Sequence, residues 1–332
     1  MRRGLLPLAL MALLIVGLGA YAGAVHPVFV SRQNLGNLLI EAMPLALVSL
    51  GQATALLVGG FDVSVAALMT MCVVTASFTM TPDTSGAALV LGALAVVGVG
   101  LATGVFNAIL IRVLKLPSIV ATLGTLSILE GASLALRAYP TGAINFDVTA
   151  ALTRSVGFVP FAFVGVAMLA LLGDAWLYRT RTGLALRAVG LDARSSRRLG
   201  MATGRTVLLA FVVCSLMAAI AGFYLGAEVQ IGSPIIGNQA LESIAAAVLG
   251  GASLAGGRGS YLGTLLAALF LTEIDNVLPL FQQPTEYADM TIGVLILLAL
   301  VLYQAPELVA RYRASRQPVV QAPAAPGGAP AA

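Results

Sequence analysis

The chain of 332 residues is 59% hydrophobic and only 10% charged, with a formal net charge of +4. A soluble domain carries about 25% charged residues, so this composition excludes a cytosolic globular enzyme and predicts a polytopic membrane protein. The small net charge and the scattered arginines also argue against nucleic-acid binding. With two cysteines in apolar runs and a single histidine, we expect no metal centre and no cofactor, since a metal site needs several such ligands.

The first apolar segment, 4–25, follows two arginines and is long enough to cross a bilayer. Two arginines, an apolar run and small residues near its end also fit a cleaved signal peptide. We favour a retained first helix, because the first span of a multi-span protein usually sets its orientation.

Nine further apolar segments follow in chain order: 35–58, 63–80, 86–111, 116–136, 156–177, 206–226, 240–254, 259–274 and 288–303. A polar, arginine-rich stretch, 179–205, separates the first six segments from the last four. We therefore predict an all-α bundle of about ten transmembrane helices within residues 1–303. The Pro- and Ala-rich tail, 304–332, has no hydrophobic face and is expected to be disordered.

The basic residues predict the orientation of this bundle. With ten spans and the N-terminus inside, only Arg32, Arg137 and Arg154 of the 18 lysines and arginines lie outside. Cytoplasmic loops are enriched in lysine and arginine, so both termini and the tail are expected in the cytoplasm.

A Gly-Gly-x-Asp-x-Ser pattern interrupts the apolar sequence between the second and third segments, at Gly59, Gly60, Asp62 and Ser64. A carboxylate at membrane depth costs about 2.5–3.5 kcal/mol and is a candidate functional residue. The alternative is a hairpin at the membrane surface, in which Asp62 is solvated or caps a helix. The spacing alone favours neither interpretation.

A second Gly-Gly break, at Gly250 and Gly251 with Ser253 shortly after, repeats the small-residue pattern about 190 residues later. Paired glycine-broken helices mark the substrate path in transporters built from internal repeats. The pattern therefore favours two pseudo-repeated halves, although Gly-Gly also recurs by chance in a glycine-rich chain.

The stretch 179–205 is predicted to be a cytoplasmic segment that docks a soluble partner. Asp192 is expected to cap a short helix that runs to Leu199, with Gly200 as its stop. The alternative is a solvated loop whose positive charge only fixes the topology.

Other polar or small residues inside the segments have packing as their default role. Asn107, Thr122 and Thr125 are expected to bond to neighbouring helices, and the Gly98-x-Gly100-x-x-x-Gly104 spacing favours close helix packing over dinucleotide binding. No glycine-rich phosphate loop precedes the only lysine, Lys115, so the chain has no nucleotide site of the P-loop kind. No catalytic residues are predicted.

Three strings in order resemble the ribose-type permease family of bacterial ABC sugar importers: LVGGFDVSVAAL (57–68), FNAILIRVLKLPSIVATLGTLSILEG (106–131) and LESIAAAVLGGASLAGGRGSYLGTLLAALF (241–270). The resemblance covers about 35–303. It implies a permease subunit that forms the translocation pathway for a monosaccharide or related polyol. The implied pathway residues are Gly59, Gly60, Asp62, Ser64, Asn107, Thr122, Thr125, Gly250, Gly251 and Ser253.

The resemblance also implies partners. The segment 179–205 is similar to the family's coupling segment, which contacts a cytoplasmic ABC ATPase. The residues expected in this contact are Gly183, Arg187, Gly190, Asp192, Arg194, Arg197, Arg198 and Gly200. The other implied partners are a second permease copy, identical or sister, and a periplasmic or lipid-anchored sugar-binding protein. The permease itself is expected in the bacterial inner membrane as a multi-pass protein.

Two alternatives compete with this interpretation. A branched-chain amino-acid permease is the nearest, and the Gly-Gly-x-Asp-x-Ser pattern argues against it. A stand-alone secondary transporter would bind coupling ions at Asp62 or Glu130 and would work without ATP.

Overall fold

The structure of the protein, a computed structural model, describes residues 2–235, 237, 239–284, 287, 290–291, 293–295 and 297–298. The predicted tail, 304–332, and most of the predicted tenth segment, 288–303, therefore lie outside the described residues.

Helices dominate the described part of the chain. In chain order they are α1 (Arg2–Val25), α2 (Arg32–Leu57), α3 (Val65–Thr79), α4 (Ala87–Arg112), α5 (Ser118–Leu136), α6 (Phe146–Leu152), α7 (Phe161–Arg179), α8 (Arg181–Leu191), α9 (Ala193–Arg198), α10 (Thr203–Val229), α11 (Gln239–Leu249) and α12 (Tyr261–Leu280). A 3-10 turn, Pro27–Val30, joins α1 to α2.

Seven of the described helices are long and apolar enough to cross a membrane, namely α1, α2, α4, α5, α7, α10 and α12. The apolar helices α3 and α11 have only 15 and 11 residues. At 1.5 Å per residue, α11 extends about 16 Å, well short of a hydrocarbon core of about 30 Å. The multi-span helical architecture is confirmed. The predicted number of ten spans is not confirmed, because the helix in the predicted segment 240–254 already ends at Leu249 and is too short to cross the membrane.

The connections between spans include short strands that the all-α prediction missed. Strand β1 (Thr141–Ala143) pairs antiparallel with β4 (Ile231–Gly232), and β2 (Ser155–Val156) pairs with β3 (Val159–Pro160). Gly157, with a φ of +69°, opens the two-residue turn between β2 and β3. The predicted span 156–177 therefore starts too early, because this hairpin occupies its first residues.

Helix α10 forms the centre of the bundle and packs against α2, α3 and α4. Its contact with α4 depends on small residues, since a Cβ added at Gly104 would lie 2.7 Å from the Val212 Cα and one at Gly100 would lie 2.5 Å from the Ala219 Cβ. The predicted packing role of these two glycines is confirmed. Gly98, by contrast, has no neighbour within 4 Å.

Candidate functional site

Asp62 lies in the turn between α2 and α3, and its side chain is fully buried. Its Oδ1 accepts hydrogen bonds from the backbone N–H of Ser64 at 3.0 Å and from the Ser64 hydroxyl at 2.5 Å. The Asn107 Nδ2 donates to Ser64 Oγ at 2.9 Å and lies 3.4 Å from Asp62 Oδ2. Asp62 is therefore not solvated in a surface hairpin; its carboxylate binds the backbone just before α3 begins.

The same turn is fastened to α5. The Thr125 hydroxyl donates to Asn107 Oδ1 at 2.6 Å, and the Val63 N–H donates to Thr122 Oγ1 at 3.2 Å. Thr122 and Thr125 are also buried. We call Asp62, Ser64, Asn107, Thr122 and Thr125 the Asp62 cluster. It joins α3, α4 and α5 through buried hydrogen bonds, which are strongest in a site that excludes water.

The two Gly-Gly breaks end their helices in the same way. Gly59, with a φ of +74°, donates to the Leu56 carbonyl at 2.8 Å, and Gly60 donates to the Ala55 carbonyl at 3.0 Å. The second break repeats this pattern. Gly251, with a φ of +102°, donates to the Val248 carbonyl, and Ala252 donates to the Ala247 carbonyl, both at 2.9 Å. This is the Schellman ending, in which glycine adopts the left-handed conformation.

The two breaks also lie close to the segment 179–205, which we call the coupling segment after its predicted role. The Gly257 N–H donates to the Leu57 carbonyl at 2.9 Å, which joins the loop after α11 to the end of α2. Gly190, near the end of α8, fits between them, because a Cβ there would overlap the Leu57 carbonyl oxygen and lie 2.6 Å from the Gly257 nitrogen. A Cβ at Gly256 would lie 2.7 Å from the Gly190 carbonyl oxygen. We call Leu57, Gly190, Gly256 and Gly257 the glycine junction.

Not every predicted pathway residue joins the Asp62 cluster. Gly250 packs against the first turn of α12, where a Cβ would overlap the Thr264 backbone nitrogen. Ser253 shapes the loop that follows, since its N–H donates to the Arg258 carbonyl at 3.0 Å. The pathway assignment of the whole set remains a prediction.

The coupling segment folds as two capped helices. Thr180 caps α8 by accepting a hydrogen bond from the Gly183 N–H at 3.1 Å. Asp192 caps α9 by accepting from the N–H groups of Arg194 at 2.8 Å and Ser195 at 3.1 Å. The predicted capped helix is confirmed, and Gly200 follows it with a φ of +80°. Helix α8 itself was not predicted.

Hydrogen bonds from the Ser195 hydroxyl and from the N–H groups of Ser195 and Arg194 lower the pKa of Asp192. A lowered pKa means that folding stabilises the charged carboxylate. The cap therefore stabilises α9 at neutral pH, and this stabilisation is lost only as the pH falls through the lowered pKa.

Ser118 and Asp174, which the sequence did not single out, also position this site, as does Tyr178, which the sequence predicts only as an anchor at the membrane interface. The Ser118 hydroxyl accepts a hydrogen bond from the Phe61 N–H at 3.1 Å. Asp174 accepts a hydrogen bond from the Tyr261 N–H at 2.7 Å, at the start of α12. The Tyr178 hydroxyl donates to the Gly259 carbonyl at 2.8 Å. The Arg187 guanidinium lies 4.6 Å from the centre of the Tyr178 ring. Asp174 could have been found as a carboxylate inside a predicted span.

No group of three or more histidine, cysteine, aspartate or glutamate side chains among the described residues has the geometry of a metal site. Both cysteines are free and buried.

The family model described as "Branched-chain amino acid transport system / permease component" matches residues 34–300. The chain is similar to the Autoinducer 2 import system permease protein LsrC of Enterobacter sp. (strain 638), with 35% identity over 87% of this chain and 84% of the relative. The LsrC proteins of Klebsiella pneumoniae (34% identity, 87% and 83% covered) and Yersinia pseudotuberculosis (35%, 87% and 82%) are similar as well. No solved structure matches the chain. With most of its length matched, the chain belongs to this family of transport-system permease components.

Proposed function

We propose that the chain is the membrane-spanning subunit of an ATP-driven importer for a monosaccharide or related polyol. The observation that carries this proposal is the position of helix α8 in the coupling segment. At the glycine junction, α8 contacts the end of α2 and the loop after α11 directly. A partner that moves α8 would act on both Gly-Gly breaks. Because the sequence has no P-loop, ATP hydrolysis belongs to another chain.

The exposed surface of the coupling segment suits an ATPase partner. Leu184, Leu191 and Leu199 are 53%, 64% and 78% exposed, although the segment lies outside the apolar spans. Exposed apolar side chains beside charged ones are typical of protein contacts. The exposed arginines of α9 are Arg194, Arg197 and Arg198.

The substrate class rests on the relatives and on the sequence patterns. The similar permeases are named for import of autoinducer 2, a sugar-like compound. The resemblance to ribose-type permeases points to the same chemistry. An importer of this kind also uses a substrate-binding protein. We propose that the chain pairs with a second permease copy and that both of its termini lie in the cytoplasm.

Uptake into vesicles tests this function. Vesicles that contain the chain, together with the ATPase and the binding protein encoded beside it, are expected to accumulate radiolabelled ribose or autoinducer 2 only when ATP is supplied. The matched control is an ATPase whose P-loop lysine is replaced. Uptake that persists with this inactive ATPase would contradict the proposal and favour a secondary transporter. ATP-dependent uptake of leucine in place of both sugar-like probes would show the branched-chain amino-acid alternative, which the family description keeps open.

Charge reversal on α9 tests the ATPase contact. We propose that the arginines of α9 meet acidic side chains of the ATPase. The triple variant Arg194→Glu, Arg197→Glu and Arg198→Glu is then expected to lower the amount of ATPase that co-purifies at least fivefold, because like charges at an interface suppress association. The amount of permease in the membrane fraction should stay the same.

The control reverses the same number of charges in the tail, at Arg311, Arg313 and Arg316. This control should keep its ATPase. Equal co-purification of both triple variants would mean that the arginines of α9 only set the topology.

A further inference from the structure

A groove of about 440 Å³ lies between α1, the 3-10 turn, α2 and α12. Its walls are apolar and include Ile15, Phe29, Leu38 and Leu269, and Glu273 is the only ionisable residue among the described residues that line it. Such a lining suits a hydrocarbon chain and does not suit a sugar, whose hydroxyls need several polar partners.

Glu273 lies at the wall of this groove and is 96% buried, since only 4% of it is exposed. Its Oε2 is buried and has no hydrogen-bond partner among the described residues. Gly19 of α1 leaves the room for this carboxyl, because a Cβ there would lie 2.9 Å from Glu273 Oε1. A buried polar group without a partner destabilises a fold by about 1–3 kcal/mol, which suggests that a ligand supplies the missing bond.

The groove opens on the outer surface of the helix bundle. Val16 and Val30 line it and are 68% and 56% exposed. The neighbouring Leu13 of α1 is also 68% exposed. Since α1 is a candidate span, we infer that this exposed apolar surface meets the bilayer.

The depth of Glu273 fits one part of a lipid. It lies seven residues before the end of α12 at Leu280, and Gly19 lies six before the end of α1 at Val25. At 1.5 Å per residue, both are about 10 Å from the helix ends. With those ends at the outer edge of a headgroup layer of about 5–7 Å, both residues lie within a few ångströms of the boundary between headgroups and hydrocarbon. The ester carbonyls of phospholipids lie at this boundary.

We propose that the groove binds a phospholipid, with one acyl chain against its apolar walls and an ester carbonyl that accepts a hydrogen bond from the neutral Glu273 carboxyl. A carboxyl in apolar surroundings takes up a proton rather than remain charged, and it then has one O–H to donate. The lipid supplies the partner that Glu273 lacks. This site is separate from the coupling segment and does not depend on the substrate of the importer.

Native mass spectrometry of the purified full chain tests the proposal with two probes, an ester-linked phosphatidylethanolamine and its ether-linked analogue, which lacks the ester carbonyls. The wild-type protein is expected to bind the ester lipid about fivefold more tightly, the value of one ordinary hydrogen bond. Glu273→Gln, which keeps a donor, should retain this preference. Glu273→Leu should bind both lipids equally.

Equal binding of the two lipids by the wild-type protein would overturn the proposal, as would an unchanged ester preference in Glu273→Leu. The variant Gly19→Cys tests whether a second copy occupies the groove instead. A disulfide-linked dimer of this variant, formed without bound lipid, would also overturn it. These readouts measure lipid binding and remain valid whether or not sugar uptake is observed.

Discussion

Replacing Gly190 with alanine is expected to lower ATP-driven uptake at least tenfold while the protein still inserts into the membrane. The added Cβ would overlap the Leu57 carbonyl oxygen and crowd the Gly257 nitrogen. Both atoms belong to the backbone, so no side-chain rotation relieves the overlap, and α8 must move away from the end of α2 and from the loop after α11. Overpacking of this kind destabilises local structure by about 1–3 kcal/mol or more.

Two measurements check this prediction together. Uptake into vesicles should fall, and trypsin should cleave the coupling segment faster, because α8 loses its contacts with Leu57 and Gly257. Gly98→Ala is the matched control, since Gly98 lies in a helix with nothing within 4 Å of the added Cβ. Full uptake and an unchanged cleavage rate in Gly190→Ala would show that the glycine junction does not couple α8 to the spans.

The local features of this chain are readable from its sequence because they depend on near neighbours. The predicted segment 86–111 differs by one residue at each end from α4, and the cap at Asp192 was predicted from its position before a helix with Gly200 beyond it. Apolar periodicity and capping residues act over one or two turns. The prediction of a helical, multi-span protein therefore holds where the structure describes it.

The glycine junction could not be predicted in the same way. Leu57, Gly190 and Gly257 lie far apart in the chain, and the sequence shows glycines without showing which backbone each one approaches. For the same reason, the sequence did not predict the hydrogen bonds of Ser118 and Asp174. Their partners, Phe61 and Tyr261, belong to other elements of the fold. The three family strings contain Leu57, Ser118 and Gly257 but neither Gly190 nor Asp174, and only the fold shows which of these residues meet.

Replacing Asp62 with alanine is expected to destabilise the protein by several kcal/mol, more than any other single change in the Asp62 cluster. The carboxylate accepts two hydrogen bonds from Ser64 and lies within reach of the Asn107 amide. Removing it leaves the Ser64 N–H and the Asn107 amide buried with fewer partners, at about 1–3 kcal/mol for each unsatisfied group. Asp62→Asn keeps an acceptor and should have an intermediate effect.

A thiol-reactive fluorogenic dye measures this loss through Cys72, in a background where Cys214, which contacts Asp62, is replaced by alanine. Cys72 is free and fully buried and reacts only when the bundle opens. Asp62→Ala should lower the midpoint temperature, at which half of the protein is labelled by the dye, by several degrees. Thr103→Val is the matched control, since Thr103 is buried but bonds only to the Val99 carbonyl of its own helix. Equal shifts in the two variants would mean that Asp62 holds no other element. A larger shift for Asp62→Ala would show that one carboxylate holds the first Gly-Gly break against α4 and α5. In the proposed importer, such a rigid turn would pass a movement of α8 on to these helices.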